Sequence, residues 1–183
     1  MPARLHYFAY GSNMLAERLQ RRCPSAQLCG AARLDHHALD FSKVANDISG
    51  KATIFPASGH HVEGVLFTLD CSEQVLLDGF EGLGKGYDRL NDVPVRLLST
   101  GETITAMTYI AMEEFRDATR RPFDWYLWLV RAGARQNRLT DRHIERLAAE
   151  PFIVDPEEAR RARLEALDIL RKAGFDPGTP EAF

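Results

Sequence analysis

Two short segments of this 183-residue chain hold residue types suited to acid–base chemistry on a small anion. The first is Tyr7-Phe-Ala-Tyr-Gly-Ser-Asn13. A strand that runs into Gly-Ser-Asn and then a helix presents free backbone N–H groups. Gly11 lets a ligand approach the main chain closely, and a helix N-terminus favours an anion such as a carboxylate. The second is Asp78-Gly-Phe-Glu81-Gly82, where Glu81 closes a helical patch between glycines and Phe80 stands beside it to bury it in part. A carboxylate so placed can move protons. On residue types alone both bland alternatives stay open. The first segment also reads as a plain strand-to-helix turn, and Glu81 as a surface carboxylate near a turn.

Other clusters lead nowhere. His36-His37 and His60-His61 are adjacent pairs, and neighbours on a strand point to opposite faces, so neither pair chelates through both rings. No Cys/His spacing suits zinc, and we expect no metal and no cofactor. Gly82-Leu-Gly-Lys-Gly86 follows a helical patch and lacks the Gly-Lys-Ser/Thr ending of a phosphate loop. Ser12 is outside any Gly-x-Ser-x-Gly elbow. The arginines from Arg116 to Arg146 alternate with acids, which fits a solvated helix surface better than an RNA site.

The elements that must carry these segments fall into two regions. Short strands are expected at Leu5 to Tyr10, Leu28 to Leu34, Ala38 to Phe41, Ala52 to Phe55, Val62 to Leu69, Val93 to Leu98 and Thr103 to Ile110. Ser99-Thr-Gly-Glu102 joins the last two as a hairpin turn. Ser12 or Asn13 should cap a helix carrying Leu15 and Leu19, which Pro24 ends. Asp70-Cys71-Ser72 should open a helix with Val75, Leu76 and Phe80 on its apolar side. After Ile110 the pattern turns helical. Pro122 starts one helix with Phe123, Tyr126, Leu127, Val130 and Ala134 on one face, and Thr140 caps another. Asp155-Pro156 opens the last, which Gly174 ends. Strands first and helices later predict an α+β fold, with one domain over residues 1–175 and a loose tail over 176–183.

Composition narrows the function class. The chain is 45% hydrophobic and 27% charged, with a formal net charge of −3. That balance exerts no broad pull on nucleic acid or an anionic membrane, so a small-molecule partner is expected. No segment reaches the roughly 20 apolar residues that span a bilayer, and no signal peptide is evident. Three cysteines, Cys23, Cys29 and Cys71, cannot all pair with one another, which fits reduced thiols in a soluble cytoplasmic protein.

Several motifs together resemble one family. Tyr7-Phe-Ala-Tyr-Gly-Ser-Asn-Met14 is similar to the signature loop of the γ-glutamylcyclotransferases. Arg33-Leu-Asp, Leu39-Asp-Phe41, Ala52-Thr-Ile-Phe55, Val62-Glu-Gly-Val65, Leu77-Asp-Gly-Phe-Glu-Gly82 with Tyr87, Thr108-Tyr109, Tyr126-Leu127 and Gly133-Ala134 follow in the family's order. The resemblance spans roughly residues 5 to 150. It implies a small mixed β-barrel with surrounding helices, and a reaction in which the substrate's own α-amine attacks its γ-carbonyl to release 5-oxoproline. It also implies that Glu81 is the catalytic acid and base. Tyr7, Phe8, Ala9, Tyr10, Gly11 and Ser12 would then grip the γ-glutamyl substrate, with Tyr109 as a further contact. Tyr87-Asp-Arg89 also occurs in γ-glutamylamine cyclotransferases, so an amino acid and an amine both stay open as leaving group. A non-catalytic binding module on the same fold is the remaining alternative, and retention of Glu81 counts against it. The oligomeric state is left open between monomer and homodimer.

Overall fold

The computed structural model describes residues 3–179. Five strands close into a barrel in the order β1 (Arg4–Ala9), β3 (Gly50–Asp70), β2 (Gln27–Val44), β4 (Tyr87–Leu97) and β5 (Thr103–Ala111). Most neighbouring pairs run antiparallel, and β1 returns to β5 in parallel through Tyr7 opposite Met107. The barrel is therefore mixed, as the family resemblance implied.

Four of the expected short strands are two long bent ones. The polar stretches that look like breaks in the sequence are irregularities within a continuing ladder. Between Asp35 and His37 the register jumps from His61 to Pro56, so residues 57–60 bulge out. His36 takes a left-handed backbone (φ 60°) opposite that bulge. Such bulges bend strands, and bent strands are what a small barrel requires.

The helices are α1 (Ala16–Arg22), α2 (Gln74–Glu81), α3 (Asp124–Gln136), α4 (Asp141–Ala148) and α5 (Arg161–Lys172). All five residues expected on the apolar face by Pro122 are buried, and α3 is buried on nearly every side. Thr140 caps α4 by accepting from the His143 amide. Three expectations need correction. Neither Ser12 nor Asn13 caps a helix: Ser12–Met14 is a single 3-10 turn, and fully buried Leu15 precedes α1. On α2 the apolar residues Val75, Leu76 and Phe80 face solvent, while Leu77 is buried. Positions 74, 77, 78 and 81 form the inward face, which brings two carboxylates to the barrel rather than a greasy stripe. Finally, α5 starts at Arg161, because Asp155 is buried and held by the Trp125 indole N–H (2.8 Å) and Arg160 (2.6 Å). Gly174, in a left-handed conformation (φ 84°), follows its end as expected. Asp176–Thr179 folds into a turn, and residues 180–183 of the expected tail lie outside the described residues.

His143 of α4 is a buried histidine whose Nε2 has no hydrogen-bond partner among the described residues. Burial chiefly lowers its pKa, to about 4, against a smaller opposing pull from Glu63. The unfolded chain then binds more protons than the folded one between about pH 6.5 and 4. Stability is full above that window and falls as pH drops through it. Urea denaturation of wild type and His143→Gln across pH 7 to 4 should show the wild type losing up to about 3 kcal/mol more. Parallel curves would mean His143 protonates freely in the native state.

Candidate active site

Glu81 is the last residue of α2, and Gly82 in a left-handed conformation (φ 71°) stops the helix directly after it. Gly82 N–H bonds to Gly79 C=O and Leu83 N–H to Asp78 C=O, a tight C-cap that fixes where the Glu81 side chain departs. Its Oε1 accepts from Asn13 Nδ2 (2.8 Å) and from Arg22 Nη1 (2.9 Å). Among the described residues, Oε2 accepts no hydrogen bond. Arg22 also donates to Asn13 Oδ1 (3.0 Å), closing a three-membered clamp around the carboxylate. Phe80 does not cover Glu81 as expected: it is 54% exposed, with the Arg22 guanidinium 5.2 Å from its ring centre.

The carboxylate faces a chamber lined also by Gly11, Ser12, Asn13, Ala52 and all five tyrosines of the chain. Tyr7 and Tyr10 come from β1 and its end, Tyr87 and Tyr109 from β4 and β5, and Tyr126 from α3. Asn13 donates to the Tyr7 hydroxyl (3.1 Å), and the Tyr7 and Tyr109 rings meet edge to face. Tyr10 donates to Tyr109 C=O (2.6 Å) and Tyr87 to Ala52 C=O (2.7 Å), while the Tyr126 hydroxyl accepts from Ala52 N–H (3.1 Å). Burial raises the pKa of every one of these phenols, so the chamber wall is neutral at any working pH. Glu81 is its one carboxylate among the described residues.

Of the residues expected to grip substrate, Tyr7, Tyr10, Gly11, Ser12 and Tyr109 line this chamber. Phe8 and Ala9 do not. Phe8 is fully buried against Gly64, and Ala9 pairs with Val65 in the barrel wall. The Tyr109 hydroxyl donates to Asp78 Oδ1 (2.7 Å), which leaves its oxygen able to accept from a bound molecule. Asp78 in turn takes Arg89 on Oδ2 (2.6 Å). Glu73, the other nearby acid, precedes α2 and accepts from the amide and hydroxyl of Ser25 in the α1–β2 connection. Sequence reasoning missed Asn13, treated as a cap, and Arg22, to which it gave no role. Their spacing of nine residues gives no hint that both meet Glu81.

The loop itself also differs from the expected helix terminus. The amides of Met14 and Leu15 bond to Gly11 C=O and Ser12 C=O within the turn, and Ala16 N–H is taken by Gln136. The dipole of α1 is thus sealed off, leaving the Gly11–Ser12 main chain as the part of the loop at the chamber. Gly11 has an ordinary negative φ of −113°. Space is tight there: a Cβ would lie 3.2 Å from Ala52 Cβ and 3.3 Å from the Tyr126 hydroxyl, so a branched side chain has to displace them. Gly11→Val should therefore push the loop off Tyr126 and weaken substrate binding about tenfold or more. Wild-type KM and kcat in a folded Gly11→Val protein would remove this loop from the site. Among the described residues, no three His, Cys, Asp or Glu side chains gather where a metal ion could be held.

Comparison with known proteins fits this geometry. A family model described as "Gamma-glutamyl cyclotransferase, AIG2-like" matches residues 7–128, which includes every chamber residue. The chain belongs to the γ-glutamylcyclotransferase family. The mouse and human proteins named gamma-glutamylcyclotransferase are each 34% identical to it over 172 residues, covering 91% of this chain and 87% of theirs. A solved structure titled gamma-glutamyl cyclotransferase superposes with a TM-score of 0.82 at 31% identity, covering 93% of this chain and 99% of that one. This member of the family thus shares its barrel and its arrangement of helices over almost the whole described length.

Proposed function

We propose that this chain converts γ-glutamyl compounds to 5-oxoproline and a free amino acid or amine. The observation that carries the reading is the single carboxylate facing a chamber of neutral hydroxyls, in a chain of this family. Nucleophile and carbonyl belong to one substrate molecule, so most of the positioning entropy is settled before binding. The remaining task is proton traffic. Glu81 Oε2 takes a proton from the substrate's α-ammonium, the amine nitrogen attacks the γ-carbonyl carbon, and the C–N bond to the leaving group breaks. The same oxygen gives that proton to the departing nitrogen as the bond breaks, then takes the surplus proton from the new ring nitrogen and passes it to the released amine. Asn13 and Arg22 hold Oε1 throughout and keep the carboxylate from rotating. The Gly11–Ser12 main chain and the hydroxyls of Tyr7 and Tyr126, whose bonds to the protein are accepted ones, receive the carboxylate and carbonyl oxygens of the glutamyl head.

No helix among the described residues is long and apolar enough to cross a membrane. All three cysteines are unpaired, which supports placing the protein in the cytoplasm. The direct test is purified protein with a γ-glutamyl amino acid, a γ-glutamylamine and glutathione, following 5-oxoproline. Release from at least one is expected, with no added metal or nucleotide. No release from any would overturn the assignment.

A further inference from the structure

The chamber opens into a groove of about 900 Å³ that shares Ser12, Glu81, Tyr87 and Tyr126 with it. The groove lies between α1, the β2–β3 connection, the end of α2 and the start of α5. Eight basic and three acidic side chains line it, five more cations than anions, although the whole chain carries −3. Most of those cations are paired. Arg21 meets Asp168, Arg22 meets Glu81, and Arg160 and Arg161 meet Asp155 and Glu165. Lys51 meets Asp47 (3.4 Å) within the rings of Trp125 and Tyr126.

Three groove cations have no carboxylate within ion-pair distance among the described residues: Arg18, Lys43 and Lys85. Lys85 is exposed and free to find water. Arg18 and Lys43 are half-buried and stand where the chamber opens. Arg18 Nε donates to the Ser12 hydroxyl (3.0 Å), and the Lys43 ammonium lies 5.0 Å from the Tyr87 ring centre. They come from opposite sides, α1 and β2. Burial lowers the pKa of each, a desolvation cost that a bound anion offsets. The glutamyl head accounts for the chamber, so what lies between these two cations is the other half of the substrate.

We propose that the groove is a leaving-group subsite for a dianion, and that the favoured substrate is a γ-glutamyl compound whose released amino acid carries a second, side-chain carboxylate. This rests on the cyclotransferase reading for the direction in which the substrate lies. It goes beyond that reading by choosing an acidic amino acid over a neutral one or an amine. One carboxylate meets Arg18 and the other Lys43. A γ-glutamylamine offers neither, and it leaves both cations desolvated and unpaired.

The test separates charge from size. γ-Glutamyl-glutamate and γ-glutamyl-glutamine are nearly the same shape and differ by one charge; γ-glutamyl-propylamine lacks both carboxylates. Binding is measured by calorimetry on the Glu81→Gln protein, so that turnover does not intrude. The glutamate compound should bind about tenfold tighter than the glutamine compound, and that one tighter than the propylamine. Lys43→Gln in the same background should shrink the glutamate-to-glutamine preference to threefold or less, as should 0.5 M salt by screening (roughly a 4 Å Debye length). Equal affinity for the glutamate and glutamine compounds, or an unchanged preference in Lys43→Gln, would overturn the subsite. If wild-type protein releases no 5-oxoproline from any compound while this charge preference persists, the reaction is wrong and the dianion subsite stands.

Discussion

Glu81→Gln should lower kcat at least about 10³-fold while leaving KM within a few-fold, because the substitution removes a base and little else. Both of the protein's hydrogen bonds to this side chain fall on Oε1. A glutamine can present its own oxygen there and keep both Asn13 and Arg22. Its nitrogen then stands where Oε2 stood and cannot accept a proton. The substrate's ammonium stays charged and its leaving nitrogen unprotonated, so both halves of the shuttle fail together. Asp78→Asn is the control. Tyr109 and Arg89 occupy both oxygens of Asp78, so its part is to hold Tyr109 in place. That variant should lose about tenfold or less. A Glu81→Gln enzyme with near-normal kcat, beside a crippled Asp78→Asn, would transfer the catalytic role to Asp78.

The second large effect is expected from packing rather than from charge. Gly133 lies within α3, where alanine ordinarily stabilises a helix by about 1 kcal/mol over glycine. Here the sign reverses. A Cβ at Gly133 would stand 2.6 Å from Leu15 N, 2.7 Å from Met14 Cβ and 2.8 Å from Met14 C. Two of those atoms are backbone and cannot swing aside, so α3 and the Ser12–Met14 turn must separate. Gly133→Ala should destabilise the protein by about 1–3 kcal/mol in urea. It should also cut kcat/KM by about tenfold, because Ser12 and Asn13 move with the turn and Tyr126 moves with the helix. A Gly133→Ala protein that is more stable and fully active would show that the packing here is looser than the distances say.

Much of this site was legible in the sequence because its two motifs are local. Gly11 and Ser12 sit in one heptapeptide, and Glu81 lies between glycines that mark a helix end. The strongly periodic α3 and the Thr140 cap were legible for the same reason. What could not be read is whatever depends on closure. Nothing in the sequence around Tyr87, Tyr109 or Tyr126 says that their rings converge, since the barrel and α3 bring them together across 119 residues from Tyr7 to Tyr126. Arg22 lies in a short basic run that resembles any solvated helix end. The face of α2 was misread because three of its apolar residues, Val75, Leu76 and Phe80, point outward, while Leu77 is the single apolar residue among the four inward ones. Leu77, Asp78 and Glu81 share the correct helical spacing, and the preference for burying carbon hid it. The start of α5 was misread because Asp155 resembles a cap, whereas Trp125 and Arg160 hold it.

The parallel seam between β1 and β5 has a consequence for how the molecule is assembled. Tyr7, near the start of the chain, pairs with Met107, and the turn after β1 packs under Gly133. The strand that leads into the substrate loop therefore cannot complete its contacts until well over half of the chain exists. Pairings so distant in sequence carry a large loop-closure cost, and folds dominated by them form slowly. Catalytic competence should thus be among the last properties to appear in refolding, after the local β2–β3 and β4–β5 hairpins. During synthesis the aromatic first strand has to wait, with Phe8 uncovered, for partners that emerge from the ribosome much later.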